Sequence, residues 1–136
     1  MVQTTAETRK RERTLVLIVE DQSDLRLLYV EHLTTSGFDV IEAGNGAEAI
    51  DHTSAHLPDV VLMDLSLPVV DGWEATRRLK ADERTAHIPV VALTAHDGSG
   101  ELQRATRAGC DWFVPKPCPP HALITEVRRI LSGLRQ

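Results

Sequence analysis

The chain has 136 residues, 42% hydrophobic and 26% charged, proportions that suit one globular domain with a single core. Its formal net charge of -5 argues against a surface built to neutralise nucleic-acid phosphates, so direct nucleic-acid binding is not expected. No apolar run approaches the roughly 20 residues needed to cross a bilayer and the N-terminus lacks a signal-like pattern, so the expectation is a cytoplasmic chain without membrane insertion.

Residues 1–13 are polar, lack a hydrophobic period and cluster Arg9, Lys10, Arg11 and Arg13. They read as a disordered tail preceding one domain over residues 14–134. From Leu15 onward, short apolar runs rich in β-branched residues alternate with longer stretches of helical spacing. That pattern predicts strand–helix–strand units and a parallel sheet.

The first strand is Leu15–Val19. Ser23 is placed to cap the helix after it, where Leu25, Leu28, Tyr29 and Leu33 form an apolar stripe that Gly37 ends. The second and third strands are predicted at 38–42 and 59–63, and Asp71 is the expected cap of the third helix. The fourth strand is predicted at 90–93. The helix from about Ser99 to Ala108 offers only Leu102 and Ala105 as a stripe, which makes it the least anchored. A fifth strand follows at 111–114. Pro119 and Pro120 then open a last helix whose stripe is Leu123, Ile124, Val127, Ile130, Leu131 and Leu134. The runs of the first, third and fourth strands are almost wholly apolar and belong at the sheet's centre; the mixed second and fifth belong at its edges. Cys110 and Cys118 lack metal-site spacing and are expected to be reduced thiols.

Parallel strands direct every carboxyl end to one rim, so the residues that follow each apolar run share it. This gathers Glu20 and Asp21, Asp64, Thr94 and Lys116. Ligands of open α/β sheets bind at that rim, where the strand order reverses. Clustered carboxylates repel one another unless a cation offsets their charge; an all-oxygen set favours a hard ion, and a small, partly hydrated octahedral site favours Mg²⁺ over Ca²⁺, with Mn²⁺ as a substitute. Asp21 and Asp64 are the best direct ligands, Glu20 acts directly or through water, and the Ser66 carbonyl completes the protein's share. The arrangement suits phosphoryl transfer: Asp64 is the nucleophile, while Lys116 and Thr94 receive phosphoryl oxygens. A Lys-Pro step after the fifth strand allows a cis peptide bond there. His96, two residues beyond Thr94, reads as a surface residue near the site's entrance.

Four segments together resemble the receiver domain of response regulators in two-component signalling, over about Thr14 to Leu134. They are Leu-Val-Leu-Ile-Val-Glu20-Asp21; Pro58-Asp-Val-Val-Leu-Met-Asp64-Leu-Ser-Leu-Pro68-Val-Val-Asp71-Gly72; Val-Val-Ala-Leu-Thr94-Ala95; and Ala108-Gly-Cys-Asp-Trp-Phe113-Val-Pro-Lys116-Pro117. The resemblance implies a doubly wound, flavodoxin-like five-stranded sheet of order 2-1-3-4-5. It implies a phosphohistidine donor on a sensor kinase or phosphotransfer protein, Asp64 as acceptor and a required Mg²⁺. It also implies a switch in which Thr94 moves toward the phosphoryl group, Phe113 turns inward, and the face of the fourth helix, fifth strand and fifth helix meets a protein partner. Such a chain is no turnover enzyme beyond its own phosphotransfer and autodephosphorylation, and is a monomer or a phosphorylation-dependent dimer.

Two departures stand out. Glu20-Asp21 stands where two Asp are commoner, and Phe113 replaces the frequent Tyr. The competing readings are a phosphorylation-independent or flavin-holding module of the same fold, and a haloacid-dehalogenase-like phosphatase. Asp64-Leu-Ser lacks the second Asp that such a phosphatase uses as general acid. The flavin reading lacks a Gly-rich phosphate loop after the first strand.

Overall fold

A computed structural model describes residues 13–67, 69–95 and 100–134. In chain order the elements are β1 (Leu15–Val19), α1 (Ser23–Thr35), β2 (Asp39–Ala43), α2 (Gly46–His56), β3 (Val60–Asp64), α3 (Gly72–Ala81), β4 (Val90–Ala95), α4 (Glu101–Ala108), β5 (Trp112–Lys116) and α5 (Pro120–Leu134). All strand pairings are parallel and the order is β2-β1-β3-β4-β5. The expected edges and centre are therefore the observed ones, with strand bounds displaced by one or two residues.

Side-chain alternation along each strand divides the core into two layers. Val16, Ile18, Leu62, Val91, Leu93 and Val114 meet Tyr29 and Leu33 of α1 and Leu123, Ile124, Val127 and Ile130 of α5. Leu17, Val19, Val61, Met63, Val90 and Ala92 face α2, α3 and α4 through Ala49, Ala75, Leu79 and Ala105. Burying β3 on both sides leaves every one of its five residues buried, the reason its sequence carries no polar position before Asp64.

Several local expectations are corrected. Ser23 is the first helical residue rather than the cap; Gln22 takes the cap position and makes no side-chain capping bond. Leu28 is 40% exposed and lies off the α1 stripe, because the helix presents Leu25, Tyr29 and Leu33 to the sheet and position 28 falls a step around from them. Leu102 likewise faces outward, leaving Ala105 as the wholly buried residue of α4. Two other expectations hold: Gly37 adopts a positive φ of 102° just past α1, and Asp71 caps α3 by accepting the Glu74 N–H at 2.8 Å.

Arg13, grouped with the tail on composition, reaches the fold. Its guanidinium donates to the carbonyls of Gly37 (3.0 Å) and Phe38 (3.2 Å) and pairs with Asp39 at 3.2 Å. The rest of the basic tail, residues 1–12, and His96 lie outside the described residues. Both cysteines are free and buried. Among the described residues, no helix is long and apolar enough to cross a membrane.

Candidate functional site

The rim predicted from strand direction is present at the carboxyl ends of β1, β3 and β5. One carboxylate oxygen each from Glu20, Asp21 and Asp64 lies within 4.8 Å of the others. Lys116 crosses from β5, two strands away, to donate to Asp64 Oδ1 at 2.8 Å. The Ser66 N–H donates to the same oxygen at 3.0 Å. Alternation explains the convergence: Glu20, Asp64 and Lys116 continue the parity of Ile18, Leu62 and Val114 and so share one side of the sheet plane. Asp21 is exposed while Glu20 and Asp64 are 1% and 2% exposed, so the cluster has a wet mouth and a dry floor.

The dry floor loads Glu20. Its Oε2 accepts the Gln22 N–H at 3.1 Å, whereas Oε1 is buried with no partner. Burial is the leading influence on this carboxyl, with the Asp64 and Asp21 carboxylates adding to it against the Gln22 N–H and Lys116, and its pKa rises from 4.5 to about 7. A buried carboxylate oxygen without a donor is expensive unless a cation meets it. Three convergent oxygens, one of them unpartnered, thus fit a hard divalent ion, with Glu20, Asp21 and Asp64 as the side chains able to hold it. Glu20, rather than Asp21, makes the contact with the start of α1, so Asp21 keeps its carboxylate out of a capping role there.

Thr94 follows the buried run of β4, one register step beyond the Asp64–Leu93 pairing. It is 1% exposed and its Oγ1 has no hydrogen-bond partner. A buried hydroxyl left unpaired at the carboxyl end of β4 is a donor in reserve. Phe113 pairs with Ala92 in register and packs, half-buried, against the α2–α3–α4 layer. By alternation Thr94 and Phe113 lie on that same face, opposite the side taken by Asp64 and Lys116.

The surrounding backbone is held in ways the sequence reading did not find. Arg26, from α1, donates Nη1 to the Glu20 carbonyl at 2.7 Å and Nε to Glu42 Oε1 at 2.9 Å, fixing the end of β1 against that of β2. Gly72 sits so close to the end of β3 that a Cβ there would lie 2.6 Å from the Asp64 carbonyl oxygen, and one on Gly46 would lie 1.9 Å from that of Val70. These glycines let α3 and α2 press against the loop behind Asp64. On the other side, the peptide bond Lys116–Pro117 is cis, and the Tyr29 hydroxyl donates to the Cys118 carbonyl at 2.8 Å, anchoring the segment after Lys116 to α1.

Comparisons with known proteins agree with this geometry. A family model described as the response regulator receiver domain matches residues 16–128. The polar-differentiation response regulator DivK of Brucella anthropi is 38% identical over 117 residues, covering 86% of this chain and 95% of that protein. Among solved structures, the receiver domain of a signal transduction histidine kinase from Syntrophus aciditrophicus superposes with a TM-score of 0.82 at 32% identity, over 90% of this chain and 93% of that one. The receiver domain of a sensor histidine kinase from Pseudomonas aeruginosa PAO1, solved with a magnesium ion coordinated in the active site cleft, gives 0.78 at 30% identity, over 89% and 96%.

Proposed function

This chain belongs to the response regulator receiver family, and on that premise we propose that Asp64 is its phosphoacceptor, with Lys116 and Thr94 as the groups that receive the phosphoryl oxygens. The observation that carries the reading is the contact of Lys116 with Asp64 Oδ1 at 2.8 Å beside a cluster of three carboxylates. Glu20, Asp21 and Asp64, with the Ser66 carbonyl, are the groups to hold Mg²⁺, and Mn²⁺ is a substitute. The bound ion supplies charge neutralisation for an approaching phosphoryl group.

The residues themselves divide the work. Both hydrogen bonds to Asp64 fall on Oδ1, which leaves Oδ2 to attack phosphorus in line. In the proposed transfer from a phosphohistidine the new P–O bond forms as the P–N bond breaks, and its electron pair returns to the donor imidazole. The Lys116 ammonium, already within reach of the carboxylate, then pairs with an oxygen of the phosphoryl group. The Thr94 hydroxyl, without a partner before transfer, turns toward another. Its displacement vacates space on the face it shares with Phe113, and inward movement of that ring alters the surface of α4, β5 and α5. A sensor kinase or histidine phosphotransfer protein is the donor, and a protein partner reads the altered face. The chemistry is confined to the chain's own phosphorylation and dephosphorylation rather than turnover of a free substrate. Neither the scaffold nor the phosphatase reading gains support: the acidic site is complete, and position 66 is an exposed Ser rather than a second acid.

Incubation with acetyl phosphate and Mg²⁺ is expected to add one base-labile phosphoryl group per chain, seen by intact-protein mass spectrometry. Asp64→Asn abolishes it. Unchanged labelling of that variant would remove Asp64 from the mechanism.

A further inference from the structure

Away from the acidic cleft, α3 and α4 frame a concavity of about 350 Å³ lined by Asp71, Trp73, Glu74, Arg77, Arg104 and Arg107. Three guanidiniums on one concave face are unexpected in a chain of net charge -5. The two carboxylates nearby are already engaged. Glu74 Oε1 accepts from Arg77 and Oε2 from Arg78 Nε at 2.7 Å, while Asp71 accepts the Glu74 backbone N–H. Arg104 lies over the Trp73 ring, its central carbon 3.6 Å from the ring centroid. Stacking occupies a face of the guanidinium and leaves its donors, which lie in the plane, unused. Neither the Arg104 nor the Arg107 guanidinium has an ion-pair or hydrogen-bond partner among the described residues.

We propose that this α3–α4 concavity binds an oligophosphate anion, either free or as the polyphosphate tail of a nucleotide. Guanidinium forks match phosphate oxygens two at a time, and a fork fixed by stacking on an aromatic ring loses little freedom on binding. The like charges of Arg104 and Arg107 on one short helix repel, and a multivalent anion between them relieves that repulsion. The concavity has the size of a small-molecule site rather than of a protein interface, which selects a compact anion over an acidic polypeptide. Carboxylate anions of similar charge offer fewer oxygens per centre to the two unpaired forks of Arg104 and Arg107, so they bind more weakly.

The test uses the full chain, ¹⁵N-labelled, in buffer containing EDTA so that metal-bridged binding at the acidic cleft is suppressed. Tripolyphosphate, ATP, citrate and poly-glutamate are titrated separately while two-dimensional NMR spectra are recorded. The Trp73 indole N–H is a local reporter, because Nε1 is buried without a partner. Saturable shifts of this resonance and of α3 and α4 amides are expected with tripolyphosphate and ATP, and little change at Trp112. Equal affinity for the two assigns recognition to the phosphates alone, and tighter ATP binding assigns the site to a nucleotide whose nucleoside adds contacts. Arg104→Gln and Arg107→Gln should each weaken binding about tenfold, the loss of a charge-assisted hydrogen bond, with melting temperatures unchanged. The proposal is overturned if no saturation is reached at millimolar ligand, if the variants bind like the parent chain, or if the shifts centre on Lys116. Equal or tighter binding of citrate or poly-glutamate would overturn the assignment to oligophosphate.

Discussion

Glu20 and Asp64 share a cleft but not a predicament. Asp64 finds a cationic donor and an N–H donor, both on Oδ1, whereas Glu20 keeps Oε1 buried and unpartnered. Unless a cation meets it, Glu20 is therefore a burden on the fold. Glu20→Gln is expected to raise stability by about 1–2 kcal/mol in EDTA, because the amide carries no charge to desolvate, and to lower Mg²⁺ affinity about tenfold through the lost ligand charge. Urea denaturation and calorimetric titration of Mg²⁺ measure the two effects. A variant that loses stability and binds Mg²⁺ as the parent does would show that Glu20 serves packing instead. The acids and Lys116 were readable in the sequence because each follows an apolar run directly, and strand direction then dictates their meeting place. Arg26 was not readable in that way, since its role depends on α1 crossing the ends of both β1 and β2, a tertiary fact with no local signature.

At the scale of elements, the five strands and their edge or central positions were legible from apolar content, because burial on two faces leaves no room for alternation. Helix faces were less so. Leu28 and Leu102 look like stripe residues by spacing, yet face outward on α1 and α4, since spacing alone does not fix how a helix rolls against a sheet. A link that spacing also hides joins β4, β5 and α3 at the end of the sheet opposite the acidic rim. There Asp111 Oδ2 accepts both the Val90 N–H and the Lys80 ammonium at 2.8 Å, and Lys80 further donates to the carbonyls of Ala86 and Ile88. Asp111→Ala leaves that ammonium and the first N–H of β4 short of an acceptor. It is expected to destabilise the fold by about 1–2 kcal/mol while leaving acetyl phosphate labelling of Asp64 intact. A thermal melt checks the first expectation and mass spectrometry the second. An unchanged midpoint would mean that water replaces the carboxylate without loss.

Across the whole molecule, each apolar layer contains one cysteine: Cys118 in the layer under α1 and α5, Cys110 in the layer under α2, α3 and α4. Because β1, β3 and β4 contribute side chains to both layers, neither can open far without disturbing the sheet that the other rests on. The two thiols should therefore become reactive together. Burial is the first cause raising both thiols above the ordinary value of 9.0, so a native chain resists alkylation for want of both access and thiolate. The sign of the linkage follows: the folded chain holds these protons longer than the unfolded one, so their contribution to stability is complete below 9.0 and is lost as pH rises through the higher folded values. Iodoacetamide labelling across a urea series, with each cysteine quantified by peptide mass spectrometry, is expected to give coincident transitions at neutral pH and earlier ones at alkaline pH. Labelling of Cys118 well before Cys110 would instead mean that the layer beneath the Lys116 segment opens by itself, and that the sheet does not couple its two sides.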